Sequence, residues 1–249
     1  MREKSQNDGA IMNFVRTCVF YFTLSVWTFF ITVIFSPVFI STVIRRIVKR
    51  KIAVIWAFGV MILLRIICGV RYRVLCDNAS VISEKRVLIA SKHESPWETI
   101  FFFTLFKGLS FVVKEELLKI PFYGWYLKVL DMVPIKRNAG MEALRKIVKS
   151  AEGNLKESGS FLIFPEGTRV SHGVVAECKH GIYAVYKNIT EKFGDVPLIP
   201  VALDSGKLWK KERFSIESGL ITVRVHDKLP QNLSKEEFMK TLQSKINSI

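Results

Sequence analysis

Cysteine is scarce in this chain, proline is sparse, and several catalytic signatures that are easily read from sequence are missing. The four cysteines, Cys18, Cys68, Cys76 and Cys178, are scattered, and two of them lie inside apolar segments. No paired spacing among them suggests a disulfide framework or a metal cage, which fits a reducing compartment. His93, His172, His180 and His226 form no His-Glu-x-x-His pair, because Trp97 stands where the second ligand after His93-Glu94 would fall. The zinc-peptidase reading therefore fails, and no other metal site is suggested. The absence of a Gly-x-Ser-x-Gly elbow argues against a covalent serine mechanism. Acidic residues are also few: 22 Asp and Glu against 37 Lys and Arg leave a formal charge of +15, so an anionic partner is expected. Zinc-finger spacing, RNP signatures and helix-turn-helix patterns are lacking, and long apolar runs accompany the basic residues. Nucleic acid is accordingly set aside in favour of a membrane surface or a phosphorylated substrate.

Charge is missing altogether from Thr17 to Ile44, a run long enough to cross a hydrocarbon core, which takes roughly 20 helical residues. The run is too long for a cleaved signal peptide, and no small-x-small site closes it. Pro37 is expected to kink or end the helix. The dense cluster Arg45-Arg46-Ile47-Val48-Lys49-Arg50-Lys51 follows. By the positive-inside rule, this cluster and the domain after it face the cytoplasm, and the cluster attracts anionic headgroups. Ile52 to Leu64 is a second apolar stretch, too short to span and closed by Arg65. Two arrangements remain open: one spanning helix with a second on the surface, or a hairpin dipping into one leaflet. Residues 1–69 thus read as membrane-anchoring helices with a basic connector, and residues 70–249 as a catalytic domain.

From Val70 onward, short apolar segments alternate with helical ones. Strands are expected at Tyr72–Cys76, Arg86–Ser91, Ser110–Lys114, Met132–Lys136, Ser160–Phe164, Pro197–Leu203 and Leu220–His226. Helices are expected over Pro96–Phe106, Tyr123–Leu130, Gly140–Glu157, part of 174–193, and from Ser234. This alternation predicts an α/β fold, a mixed sheet covered by helices. Pro197 and Pro200 mark their strand as an edge strand or an irregular one, since proline cannot donate to a ladder.

His93 lies in the turn between Arg86–Ser91 and the helix opened by Ser95 and Pro96, at the carboxyl end of a strand, where α/β sheets bind ligands. Glu98 admits two readings. It completes a Ser-x-x-Glu capping box with Ser95, or it accepts the His93 Nδ1–H and leaves Nε2 free to take a proton. Three further strand ends offer cations. Phe164-Pro165-Glu166-Gly167-Thr168-Arg169 forms a tight turn in which Gly167 is free to take positive φ and Arg169 can grip phosphate. Lys114 precedes the turn-rich stretch Glu115 to Trp125, and Lys136-Arg137 ends another strand.

His93…Glu98, Lys114-Glu115-Glu116 through Trp125, Phe164–Arg169 and Val196-Pro197-Leu198-Ile199-Pro200-Val201-Ala202-Leu203, in that order, resemble the glycerolipid acyltransferases, and within them the bacterial lysophosphatidate type. The resemblance covers about Val70 to Leu203. Two positions depart from the family's pattern: Glu98, where many members carry Asp, and Lys136, where Asp is frequent. The resemblance implies transfer of an acyl group from acyl-CoA or acyl carrier protein to the sn-2 hydroxyl of 1-acyl-sn-glycerol 3-phosphate. His93 would be the base and Glu98 its orienting partner. Lys114, Arg169, Glu166, Gly167 and Arg137 would lie at the acceptor's phosphate, with Pro197, Ile199, Pro200 and Val201 on the donor side. It implies no bound cofactor and no metal, and a membrane lipid as substrate. Two other functions stay open on these residues: acyl transfer to a different acceptor, and anionic-lipid binding without catalysis.

Overall fold

Period-two alternation along the strands decides how the sheet is covered. In the computed structural model, which describes residues 2–40, 46–120, 123–136 and 140–249, seven strands form one sheet: β1 (Val70–Cys76), β2 (Val87–Ser91), β3 (Ser110–Lys114), β4 (Val133–Ile135), β5 (Ser160–Ile163), β6 (Leu198–Leu203) and β7 (Gly219–Val225). Successive side chains point to opposite faces. Ile89, Leu162, Ile199 and Val223 therefore join one apolar cluster, while Leu88, Ala90, Phe161, Ile163 and Leu198 join the other. The first face is covered by α1 (Arg2–Ile40), α2 (Arg46–Ile67), the short α3 (Ser80–Ser83), α4 (Trp97–Leu105) and α5 (Tyr123–Val129). The second is covered by α6 (Gly140–Lys156), α7 (Gly181–Phe193) and α8 (Lys235–Ile246). The sheet is mixed and covered by helices, as expected.

The strand order is β1-β7-β6-β2-β5-β3-β4, parallel throughout except for β6 against β7. This corrects one expectation: β6 is central, between β7 and β2, not an edge strand. Pro200 is tolerated because its carbonyl accepts from His226 N–H at 3.0 Å on the β7 side, where the ladder with β7 begins only at Val201. The missing donor falls on the same side, just beyond the regular pairing. Pro197, Ile199, Pro200 and Val201 are all buried, Ile199 and Val201 completely. They pack the interior of the sheet domain.

The helices α1 and α2 form a hairpin held by a reciprocal tryptophan pair: Trp27 Nε1 donates to the Trp56 carbonyl at 3.1 Å, and Trp56 Nε1 to Thr28 Oγ1 at 3.0 Å. Within α1, Gly9–Val38 is long and apolar enough to cross a membrane. The helix does not end at Pro37, contrary to one of the two outcomes expected there, but continues to Ile40. The proline removes the donor that would serve the Val33 carbonyl, and the Ser36 hydroxyl supplies it at 2.9 Å. The hairpin also docks on the sheet domain. Thr17 Oγ1 accepts from Ile216 N–H at 2.8 Å, and Phe20 packs edge-on against Trp209. Of the basic cluster, Arg45 lies outside the described residues. Arg50 turns inward toward Glu157, 3.9 Å away, rather than outward to a lipid surface.

Candidate active site

Because β6, β2 and β5 are adjacent and parallel, their carboxyl ends lie side by side, and the loops leaving them meet. The loop from β2 carries His93, the loop from β5 carries Glu166, and the turn from β6 carries Ser205. The next strand in order, β3, ends in Lys114, roughly 10 Å from the β2 end at ordinary strand spacing.

The His93 Nδ1 lies 2.9 Å from Glu98 Oε1. The same oxygen accepts from the backbone N–H groups of Glu94 and Ser95, each at 2.7 Å. Oε2 takes the hydroxyls of Ser95 at 2.8 Å and Ser205 at 2.6 Å. The capping contact and the histidine contact thus coexist on one carboxylate. It is not a full capping box of the kind at α8, where Ser234 and Glu237 bond reciprocally. Here Pro96 is the N-cap, and Ser95 Oγ accepts from Trp97 N–H at 3.1 Å. Glu98 is completely buried; burial alone would raise its pKa, but the bonds from His93, Ser205 and Ser95 outweigh that and hold it below the ordinary glutamate range. An ionised carboxylate here fixes the Nδ1–H tautomer. The ring is stacked on Phe164 with centroids 4.0 Å apart, its side chain 18 % exposed, and Nε2 has no hydrogen-bond partner among the described residues.

The turn after β5 grips the His93 backbone from both sides. Glu166 Oε2 accepts from His93 N–H at 2.9 Å, and the His93 carbonyl accepts from Val170 N–H at 2.7 Å. Arg169 precedes Val170 in this turn, so its backbone adjoins the His93 loop; it is half-buried, makes no hydrogen bond or ion pair among the described residues, and its charge acts on Glu212. Gly167 has φ +70°, the positive value expected for the turn. Glu166 sits deeper than expected. It is 4 % exposed, holds the His93 backbone, and its Oε1 has no partner among the described residues; burial pushes its pKa up to about 7. Lys114 is exposed and unpaired among the described residues, and Lys136 pairs with Glu115 at 3.8 Å. Arg137 lies outside the described residues.

Three participants are given no role by the sequence: Ser205 and Glu94, which no motif marks, and Phe164, which opens the 164–169 motif. Ser205 supplies a hydroxyl to Glu98; its only sequence signal is its place just after an apolar strand. Glu94 is buried behind His93, accepting from Gly206 N–H at 2.8 Å, with Lys92 Nζ 3.5 Å and His172 Nδ1 3.4 Å away. Burial raises its pKa. Phe164 is the aromatic floor under the imidazole. Nearby, between the hairpin and the sheet domain, an apolar cavity is lined by Ile31, Ala53, Ile100, Phe103, Phe111 and Leu127. Its α4 residues begin at Thr99, directly after Glu98.

A second acid–histidine–serine line lies elsewhere: Asp77 Oδ2 is 3.0 Å from His226 Nδ1, and Ser248 Oγ is 2.8 Å from Nε2. The Lys245 carbonyl also faces Nε2 at 3.0 Å. A carbonyl requires an N–H, so that nitrogen has no lone pair for the serine. This histidine caps the end of α8 and activates nothing.

The site thus sets a buried carboxylate against a mostly buried histidine at parallel strand ends, and a family model described as Acyltransferase matches residues 73–204. The chain belongs to that family. It is 35% identical over 216 residues to a 1-acyl-sn-glycerol-3-phosphate acyltransferase of Pseudomonas aeruginosa, covering 84% of this chain and 78% of that protein. It is 22% identical over 161 residues to one of Saccharomyces cerevisiae, covering 63% and 52% of the two chains. The fold matches that of the 1-acyl-sn-glycerophosphate acyltransferase PlsC from Thermotoga maritima with a TM-score of 0.74 at 23% identity, over 95% of this chain and 94% of that one.

Proposed function

We propose that this acyltransferase acylates the sn-2 hydroxyl of 1-acyl-sn-glycerol 3-phosphate, taking the acyl group from a thioester, acyl-CoA or acyl carrier protein, and yielding phosphatidic acid. The observation that carries the reading is the His93–Glu98 pair with Nε2 open, packed against the β5 turn that carries Arg169. The acceptor hydroxyl gives its proton to Nε2 as its oxygen attacks the thioester carbon. Collapse of the tetrahedral adduct breaks the C–S bond, and the imidazolium returns the proton to the departing thiolate. Glu98 stabilises the imidazolium, so no covalent acyl-enzyme is needed. Arg169 and Lys114 hold the acceptor's phosphate, and Glu166 serves by holding the base. The apolar cavity beside α4 accommodates an acyl chain. The apolar hairpin keeps the site at the membrane, where both lipids reside, with the catalytic domain on the cytoplasmic side as the basic connector suggests.

Acyl transfer by the purified full-length protein to an acceptor panel tests this. Lysophosphatidate should be the preferred acceptor, and His93→Ala should lose at least about 10²-fold in kcat, the usual worth of a positioned base. Full activity in that variant ends the reading.

A further inference from the structure

Resting on this reading of the site, we infer that Lys179 is a further ligand for the acceptor's phosphate, acting beside Arg169. Lys179 lies outside every motif that marks the site, in the loop leading from the β5 turn to α7. Its backbone is tied down on both sides: its N–H donates to the Pro165 carbonyl at 2.9 Å, and its carbonyl accepts from Ile182 N–H at 3.2 Å at the start of α7. From there the side chain crosses directly over Gly167. A methyl group at position 167 would lie 2.8 Å from Lys179 Nζ and 2.9 Å from its Cε. The ammonium therefore lies over the turn whose Glu166 accepts from His93 N–H and which also carries Arg169.

None of the described residues pairs with that charge. Lys179 Nζ makes no hydrogen bond and no ion pair among the described residues, although Glu177 is two residues away in sequence and the Lys179 backbone bonds to Pro165, next to Glu166. By contrast, Lys92, one loop away, is buried and engaged by Val174, Asn247 and Glu94. Holding a long lysine in one place costs conformational entropy, which an exposed side chain recovers only on meeting an anion. The position also selects which anion. In the acceptor, the phosphate is joined to the reacting hydroxyl by the short glycerol backbone. In a thioester donor, the phosphates lie at the far end of the pantetheine arm. A cation within the turn that holds the base is therefore placed for the acceptor's phosphate monoester and not for the donor's phosphates. Gly167 follows from the same geometry: positive φ permits the turn, and the absence of a side chain leaves room for the lysine.

The test compares two acceptors that differ only in the phosphate, 1-acyl-sn-glycerol 3-phosphate and 1-acyl-sn-glycerol. Lys179→Ala should raise KM for the phosphorylated acceptor by about tenfold, the scale of one charge-assisted hydrogen bond, with kcat little changed and turnover of the phosphate-free acceptor unaffected. Lys179→Arg should restore most of the loss. An unchanged KM, or an equal loss on both acceptors, overturns the proposal while leaving the proposed reaction standing. A readout independent of turnover separates the two readings further. In the unmodified full-length protein, inorganic phosphate should slow amine-directed labelling of Lys179, followed by mass spectrometry, but not that of the exposed Lys211. If labelling of Lys179 is unaffected, the site is wrong. If phosphate protects Lys179 while lysophosphatidate is a poor acceptor, the anion site holds and the acceptor assignment falls.

Discussion

Glu166 shows how much one side chain's depth changes its role. In sequence it sits between a proline and a glycine in a turn, and its neighbour Arg169 suggests a shared task at a phosphate. In the fold its carboxyl is buried, one oxygen on His93 N–H and the other without a partner among the described residues. Burial raises its pKa to about 7, whereas an unfolded glutamate titrates near 4.3, an order-of-magnitude reference. The folded state then binds the proton more tightly. The stabilisation is fully present below the unfolded value and is lost as pH rises through about 7. Glu166→Gln keeps an acceptor for His93 N–H, adds donors beside the orphaned oxygen, and cannot ionise. Its thermal stability should therefore stay level between pH 5 and 8, a range set by these values, while that of the unmodified protein declines. Glu166→Leu should leave the His93 N–H buried and unpaired, costing about 1–3 kcal/mol and lowering kcat more than it changes KM. Parallel stability curves for Glu166→Gln and the unmodified protein would show that this carboxyl is ionised throughout.

At the level of elements, the seven strands and most helices were legible because apolar β-branched runs are bounded by turn residues. The order of the strands was not, since it depends on crossovers that leave no local mark. That is why β6 reads as an edge strand from Pro197 and Pro200 yet lies at the centre. The His93–Glu98 pair was visible because both residues belong to one turn. Ser205 was not, because its partners are distant in sequence and only the parallel alignment of β2 and β6 brings their loops together. The same long-range logic holds the opposite end of the chain. His226, just after β7, bonds to Asp77, just after β1, and to the end of α8. Desolvation raises the Asp77 pKa, but the bonds from His226 and Arg224 outweigh it and hold the group below its ordinary value. A lowered carboxylate contributes stability above its unfolded pKa and loses it as pH falls through the folded value. Asp77→Asn should therefore melt lower than the unmodified protein at pH 7, by roughly 2–4 °C per kcal/mol lost, and the gap should close as pH drops below the ordinary aspartate range. A gap that persists in acid would assign the effect to packing rather than charge.

For the molecule as a whole, the hairpin and the sheet domain share one boundary, and the apolar cavity lies along it. One side of α1 is locked down through Thr17, Phe20 and Trp27. The outward side exposes Phe22, Phe29 and Ile34, and α2 continues it with Ile62 and Ile66. An apolar stripe of this size is costly in water and stable against lipid. The cavity between hairpin and domain has Ala53 of α2 on one wall and Ile100 and Phe103 of α4 on the other. Because α4 also carries Glu98, an acyl chain in this cavity would have its carbonyl end toward His93. The depth of the cavity would then limit chain length, at about 0.8 kcal/mol for each methylene that finds apolar cover. Filling it from the hairpin side should shorten the preferred chain without touching the base. Ala53→Phe is expected to lower kcat/KM for a long-chain acyl thioester relative to a short-chain one by about tenfold, with lysophosphatidate KM unchanged. Competition between donors of different length in one assay reads that ratio directly. An unaltered ratio, with the variant folded and active, would place the acyl chain outside this cavity.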